Sequence, residues 1–223
     1  MKKVLVFVFV LIGFSTAGHA QLQQYYLGPT LLFKGGVNAA NIPDGLKTEA
    51  NFNVIPDFGI TFRWMFDKNS AIGLLFNAEY ATYSFKMRPE SESFANDNNT
   101  FIFKPSYFSF APGIYFSGVT FNVAFGFPAS YTVATVAGDD GTGTWSPVSS
   151  DLNSPSIELQ LGGMITVWET DTGELNILLR GGYMVNGMYK TDAPTLDNIF
   201  DGNNPAVASA GIGLNYLFDL VAL

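Results

Sequence analysis

Arg180 stands in the middle of an otherwise apolar segment, GELNILLRGGYMVNGMYK, at residues 173–190. A buried guanidinium needs a carboxylate partner, because an unpaired charge away from water is costly. Alternate residues of a β-strand point to opposite faces, and Arg180 shares its face with Asn176, Gly182 and Asn186. The other face carries Leu, Ile, Tyr and Val side chains. The segment therefore predicts a strand with one apolar face and one polar face on which the charge is paired.

The same alternation places further charges on the polar faces of the other predicted strands. If the strands close into a barrel, their polar faces line its interior, or lumen. The resulting set of lumen charges is Lys34, Asp57, Arg63, Glu79, Glu158 and Arg180. Lys34, Asp57 and Glu79 fall on three successive strands, at a height similar to that of Arg180 on the far wall. We predict that these charges pair across a narrow lumen and close it, with Arg180 joining opposite walls. The alternative is a wet lumen in which the charges bind water without specific pairing.

Composition excludes most catalytic chemistry. The one histidine, His19, lies in a segment that we expect to be removed, and the chain has no cysteine. Histidine acid–base catalysis, thiol nucleophiles and His/Cys metal sites are therefore excluded. Asp57 and Glu79 could act as a carboxylate pair, but Lys34 and Arg180 explain them better as charge partners. We expect no enzyme activity, no catalytic residue, no cofactor and no metal centre.

Two acidic segments place oxygen ligands beside glycines and are candidates for Ca²⁺: DDGTG at 139–143 and DNIFDGNN at 197–204. Neither has the EF-hand spacing, and Asp, Asn and Gly are ordinary loop residues, so solvated loops are the favoured interpretation. Trp145, in the longest loop, is a candidate contact point for a ligand or partner.

Hydrophobic alternation with a period of two recurs along the chain and predicts eight strands. VASAGIGLNYLFD, at 207–219, is typical, because every second residue from Ala208 to Phe218 is apolar. The predicted strands lie near 25–37, 52–66, 70–85, 101–117, 119–136, 156–169, 173–190 and 205–219. Three connections are tight turns, at 67–70, 117–118 and 170–173. The other four are long and polar, at 38–51, 86–100, 137–155 and 191–204.

Eight antiparallel strands with alternately short and long connections are typical of an all-β, up-and-down barrel of the outer membrane. In such barrels the short turns are periplasmic and the four long loops extracellular. A soluble barrel of the lipocalin kind also alternates, but it needs a charged face toward water. Here the second face consists of Gly, Ser, Thr, Asn and Ala, which suits a narrow lumen better than a hydrated surface. The transmembrane barrel is therefore the favoured interpretation.

Aromatic residues near the ends of the predicted strands indicate where the membrane interfaces lie. Outer-membrane barrels carry such girdles at the height of the lipid headgroups. The predicted girdle consists of Trp64, Phe66, Tyr80, Phe116, Tyr131, Tyr183, Tyr216 and Phe218.

The first twenty residues, MKKVLVFVFVLIGFSTAGHA, have the layout of a secretory signal peptide. Lys2 and Lys3 precede an apolar run too short to span a bilayer, and small residues lead up to Ala20. We predict a signal peptide at 1–20 and one barrel domain at 21–223. Loss of Lys2 and Lys3 leaves 9 basic against 19 acidic residues, a net charge of −10. That balance argues against nucleic acid, and against binding of anionic lipid through a basic patch.

The signal peptide, the eight strands and the closing GIGLNYLFD resemble the outer-membrane protein β-barrel domain family. They resemble the barrel of outer membrane protein A more distantly. The resemblance implies a monomer in the outer membrane of a Gram-negative cell, surrounded by lipid and inserted by the barrel assembly machinery. Some members are similar to barrels linked to secretion or adhesion. We expect a structural or interaction scaffold that binds a protein or surface partner through its loops; the alternative is a narrow, porin-like pore for ions or small solutes.

Overall fold

The computed structural model describes residues 23–40, 42–67, 70–91, 100–135, 148–193, 200 and 202–221. The predicted signal peptide, the 139–143 segment, Trp145 and half of 197–204 lie outside these residues. Within the described residues, no helix combines the length and the apolar character needed to cross a bilayer.

The described residues form ten β-strands and one short 3-10 helix, Ser149–Asp151. The strands are β1 (Gln24–Asn38), β2 (Leu46–Phe52), β3 (Asp57–Met65), β4 (Ile72–Thr82), β5 (Phe85–Pro89), β6 (Phe101–Phe116), β7 (Val119–Thr135), β8 (Ser156–Thr170), β9 (Gly173–Met184) and β10 (Val207–Asp219). The shortest connection is the two-residue turn between β6 and β7. Ser117 and Gly118 both have positive φ, 48° and 88°, as the type I′ turn of a two-residue hairpin requires.

The strands form one closed ring. Around it the order is β1, β3, β4, β6, β7, β8, β9 and β10, and β10 pairs with β1. Each neighbouring pair is antiparallel. The prediction of an eight-stranded, antiparallel, up-and-down barrel is therefore confirmed. We call the end that carries the turns at 66–71, 117–118 and 171–172 the short-turn end, and the opposite end the long-loop end.

Two walls of the ring are interrupted, which the sequence did not predict. β2 pairs with β1 and β5, and β5 pairs with β6, so β2 and β5 prolong the walls of β3 and β4 at the long-loop end. The interruption falls at 53–56, where Pro56 has no N–H for the ladder. There Asn53 Nδ2 donates to the carbonyl of Thr82 at 2.6 Å. The predicted strands 52–66 and 70–85 are therefore confirmed over β3 and β4 but wrong at their long-loop ends, and the predicted loops 38–51 and 86–100 were wrong where β2 and β5 lie.

β9 also ends earlier than predicted, at Met184 instead of residue 190. The side chain of Asn186 accepts a hydrogen bond from the backbone N–H of Ile157 at 2.8 Å, so an amide replaces the next backbone partner. Gly187 then has a positive φ of 71°, which turns the chain away from the wall. As a result Met188 and Tyr189 are fully buried.

The two faces of the strands have opposite characters. Large apolar side chains on the outer face remain about half exposed, for example Ile212 at 57%, Leu161 at 62% and Phe108 at 63%. On the inner face polar residues are buried, such as Asn176 at 0% and Asn215 at 2%. A water-soluble barrel has the reverse arrangement. The outer surface is therefore built for lipid.

Candidate functional site

The lumen contains an ion pair that spans it from wall to wall. Arg180 on β9 donates to both carboxylate oxygens of Glu79 on β4, at 2.6 and 2.9 Å. β4 and β9 are four positions apart in a ring of eight, so they are diametrically opposed. Both side chains are nearly buried, at 11% and 3% exposure. The bidentate geometry fixes the orientation of the guanidinium as well as its distance.

A second ion pair joins neighbouring walls. Lys34 Nζ lies 2.7 Å from Asp57 Oδ2 and 3.6 Å from the centre of the Tyr83 ring. Asp57 Oδ1 accepts from the backbone N–H of Thr82 at 2.7 Å. The ammonium is therefore satisfied by a carboxylate on one side and by an aromatic face on another. Asp57 in turn fixes the end of β4 where the wall is interrupted.

The third ion pair lies nearer the short-turn end and includes a residue absent from the predicted set. Arg63 donates to both oxygens of Glu174, at 2.8 and 2.9 Å. Its guanidinium also lies over the Tyr26 ring at 4.2 Å and near the Tyr115 ring at 4.9 Å. Glu174 has the same strand parity as Asn176 and Arg180, and that parity was the signal that could have identified it.

Glu158 is the lumen charge without a cationic partner among the described residues. Its carboxylate accepts hydrogen bonds from the Tyr83 hydroxyl at 2.8 Å, the Gln160 amide at 2.7 Å and the Ser209 hydroxyl at 3.1 Å. With Glu174 added, the charged side chains found in the lumen among the described residues are four acidic and three basic. The equal balance predicted from sequence was therefore wrong by one carboxylate.

Above these charges, at the long-loop end, aromatic side chains fill the lumen. We call Phe85, Phe103, Tyr131, Tyr189 and Phe200 the aromatic cap. Successive ring centres lie 4.9 Å apart for Phe85 and Phe103, 5.5 Å for Phe103 and Phe200, and 5.3 Å for Phe200 and Tyr189. The hydroxyls of Tyr131 and Tyr189 are hydrogen-bonded to each other. Burial raises the pKa of Tyr189 well above its usual value, so its hydroxyl stays protonated.

One amide side chain holds the segment that contributes Tyr189. Asn204 Oδ1 accepts from the backbone N–H groups of Met188 and Tyr189 at 3.0 and 2.9 Å. Its Nδ2 donates to the carbonyl of Tyr189 at 2.7 Å. These bonds satisfy backbone groups that have left the ladder, which a buried segment requires.

Tyr131 belongs to this interior cap and not to the predicted outer girdle. Ser106 and Tyr107 pair with Ser130 and Pro128, so Ala129 is an extra residue in β7. Such a bulge reverses the facing of every later residue. Tyr131 is consequently only 7% exposed. The other seven predicted girdle residues lie on the outer face: Trp64, Phe66, Tyr80, Phe116, Tyr183, Tyr216 and Phe218.

Little free volume remains beside the spanning ion pair. A cavity of about 10 Å³ is lined by Arg180, Thr61, Asn77 and Asn122, among others. That is about the space of one water molecule. The described residues contain no cluster of His, Cys, Asp and Glu suited to a metal ion.

A closed ring of eight antiparallel strands, apolar outside and ion-paired inside, defines an integral β-barrel protein. Closed barrels with an apolar exterior are the β-structures that cross the outer membrane, because they leave no unpaired strand edge in lipid. The protein is therefore an outer-membrane β-barrel protein.

No family model matches the chain, and no curated protein matches it. Among solved structures, it is similar to Ail, the attachment invasion locus protein of Yersinia pestis, crystallised with the heparin analogue sucrose octasulfate. The identity is 13%, over 88% of this chain and 97% of that chain, with a TM-score of 0.34. It is also similar to the outer membrane protein OprG from Pseudomonas aeruginosa, with 11% identity over 90% and 98% and a TM-score of 0.38. The barrel assignment rests on the strand pairing and the outer surface of this chain itself.

Proposed function

We propose that the protein is a non-conducting, membrane-embedded scaffold that presents its long-loop end to a partner outside the cell. The observation that supports this proposal is the bidentate Arg180–Glu79 pair across the lumen, at 2.6 and 2.9 Å. In this proposal the barrel supplies a rigid anchor, and recognition is the task of the long loops. Lipid surrounds the barrel, and the barrel assembly machinery inserts it.

Two successive obstructions would oppose ion flow through the lumen. An ion that enters from the short-turn end meets Arg63–Glu174 and then Arg180–Glu79, both bidentate. Beyond them the aromatic cap fills the lumen with buried rings. A hydrated ion needs far more room than the single-water cavity beside Arg180. Passage would therefore require several contacts to break at once.

Single-channel recording from the refolded protein in a planar bilayer tests this proposal. Heat-modifiable gel migration first confirms folding, and an established porin in the same bilayer confirms that currents are detectable. We expect no discrete current steps from the folded protein. A reproducible unitary conductance would overturn the closed lumen and favour the narrow-pore function, with the lumen charges as its selectivity filter.

The scaffold role needs a second readout, because a silent barrel is not by itself a binding protein. Deletion of residues 139–143 or of 194–198 removes part of an acidic loop from the long-loop end and leaves the buried Phe200 of the aromatic cap in the chain. We expect such a variant to fold and insert normally but to lose adhesion of cells to the surface or protein that the native barrel contacts. Unchanged adhesion of both folded deletion variants would contradict recognition by these loops.

A further inference from the structure

Basic residues are concentrated on one part of the outer wall. Nine Lys and Arg residues follow position 20, and four of them lie on β2, β5 and β6: Lys47, Lys86, Arg88 and Lys104. Phe85, Met87 and Phe103 point into the core, so the alternate residues Lys86 and Lys104 point outward, whereas Arg88 is only 7% exposed and pairs with Glu49. Residues 21–223 carry a net charge of −10, so this patch of cations is a local feature, and it includes one carboxylate, Glu49, which lies opposite Lys86 in the β2–β5 register. The overall charge balance hid this patch, since it averages over all loops.

The position of the patch relative to the membrane follows from the outward-facing residues of β6. From the short-turn end these are apolar, with Ile114, Phe110 and Phe108 exposed by 52%, 47% and 63%. The next two positions of the same parity are Ser106, which is 8% exposed, and Lys104, which is exposed, so the wall changes from apolar to polar here.

β7 shows the same change at the same level. Phe121 and Phe127 are exposed by 48% and 50%, and the outward positions beyond the bulge are Ser130 and Thr132. Tyr80, an aromatic of the outer girdle, lies with its hydroxyl 3.3 Å from Ser130 Oγ. Aromatic rings with a polar tip mark the headgroup level. Lys104 therefore lies where the hydrocarbon of the outer leaflet meets the headgroups.

An apolar cleft opens on the wall at this level. Its volume is about 450 Å³, and Tyr80, Ile102, Lys104 and Thr132 are among its lining residues. The excursion between β2 and β3 forms one side, with Phe52, Val54 and Ile55 exposed by 79%, 93% and 60%. Apolar residues exposed to this degree are costly in water but suit contact with an acyl chain.

One cation, Lys104, lines the cleft, and a second, Lys86, lies beside it on β5. Lys86 pairs with Ile102, so Lys104 is its diagonal neighbour, about 7 to 8 Å away at the backbone. Within the described part of the chain, neither ammonium makes an ion pair, whereas the neighbouring Arg88 is held by Glu49. Two ammonium groups at this spacing can bind the oxygens of one phosphate group.

We propose that this cleft binds a phosphorylated lipid of the outer leaflet. An acyl chain of the lipid packs against the 52–55 excursion and Tyr80, and its phosphate lies between Lys86 and Lys104. The cleft opens sideways onto the apolar wall, so its occupant comes from the plane of the membrane. Charge complementarity selects an anionic headgroup, and the lipid fills a gap where the wall itself is interrupted.

The test uses the refolded full-length protein in zwitterionic detergent, titrated with lipid A and observed by native mass spectrometry. Lipid A carries sugar-linked phosphates and several acyl chains, and phosphatidylcholine of matched acyl length serves as the uncharged comparison. We expect one lipid A bound per barrel, in preference to phosphatidylcholine. K86Q/K104Q should weaken the binding of lipid A by about tenfold or more, since each cation near a charged headgroup contributes about 1 kcal/mol.

Two matched variants distinguish a specific binding site from general electrostatic attraction. K68Q/K190Q also removes two cations, both outside the patch, and leaves the cleft intact, so it should bind lipid A as the native protein does. Ser130→Trp keeps all charges but fills the cleft, and it should weaken binding as K86Q/K104Q does. Equal losses from the two charge variants, no loss from the filled cleft, or equal binding of phosphatidylcholine would each overturn the proposal. Heat-modifiable migration of every variant confirms that the barrel is folded.

Discussion

The two halves of the lumen are closed by opposite means. Toward the short-turn end, Arg63–Glu174 and Arg180–Glu79 join the walls through paired charges. Toward the long-loop end, the aromatic cap fills the space with buried rings. Paired buried charges offset their own desolvation and contribute little net stability, although breaking one pair is costly. Buried aromatic rings stabilise through the apolar area they remove from water. The ion pairs therefore determine which strands face each other across the lumen, and the aromatic cap stabilises the lumen by burying apolar area.

The largest effect is expected from removing one partner of the Arg180–Glu79 pair. Glu79→Ala leaves the Arg180 guanidinium buried and unpaired, so we expect the free energy of unfolding to fall by about 3 to 5 kcal/mol. Replacing both residues, E79L/R180M, removes the charges together and should cost less than about 1 kcal/mol. Reversible urea unfolding in lipid vesicles measures both values. Equal losses in the single and the double variant would mean that the residues act by packing and not as an ion pair.

A smaller effect is expected from loosening the aromatic half. Asn204→Ala removes three hydrogen bonds that hold Met188 and Tyr189, and it should lower the free energy of unfolding by about 1 to 3 kcal/mol. The barrel wall does not depend on these bonds, so protease cleavage near residues 186–192 should accelerate while the trypsin-resistant wall persists. Asn204→Asp keeps the acceptor oxygen for two N–H groups and should restore part of the loss. Uniform cleavage throughout the barrel would contradict a separate upper half.

The smallest change in the free energy of unfolding is expected at Glu158, which shows whether this lumen carboxylate needs its charge. Glu158 accepts only from neutral donors, so Glu158→Gln keeps an acceptor oxygen and should change the free energy of unfolding by less than about 1 kcal/mol. Glu79→Gln is the matched control, since the same change there leaves Arg180 without a counter-charge and should cost several times more. Similar costs at both sites, measured by urea unfolding, would show that Glu158 is balanced by a more distant cation.

Strand parity predicted one half of the lumen well and the other poorly. Facing alternates strictly along a regular strand, so the inward placement of Asp57, Glu79 and Arg180 follows from counting residues. Pairing across the lumen also depends on register, and Glu174 was omitted although its parity was right. At Ala129 one extra residue reverses the count, so Tyr131 was assigned to the wrong side. Alternation alone contains no signal for such a bulge.

Strand parity could not predict the aromatic cap, and the reason is different. Tyr189 and Phe200 lie outside the strands, so their positions depend on a turn at Gly187 and on the side chain of Asn204. These are tertiary contacts between segments about fifteen residues apart. The interruption of the wall at 53–56 likewise depends on Thr82, which binds both Asn53 and Ile55. Local patterning predicts the wall of a barrel, whereas what closes or interrupts it is decided by contacts across it.

The seam between the first and last strands has a consequence for the order of events during biogenesis. β1 and β10 pair from Tyr26 with Asp219 up to Asn38 with Val207, so the two edges that meet there are nearly the whole chain apart. Until the last strand is synthesised, the edge of β1 has no lasting partner, and in lipid an open edge is untenable. The ring therefore cannot close before β10 is synthesised, and stable insertion into lipid depends on that closure. A truncation that removes β10 would stop maturation altogether, however sound the remaining hairpins are.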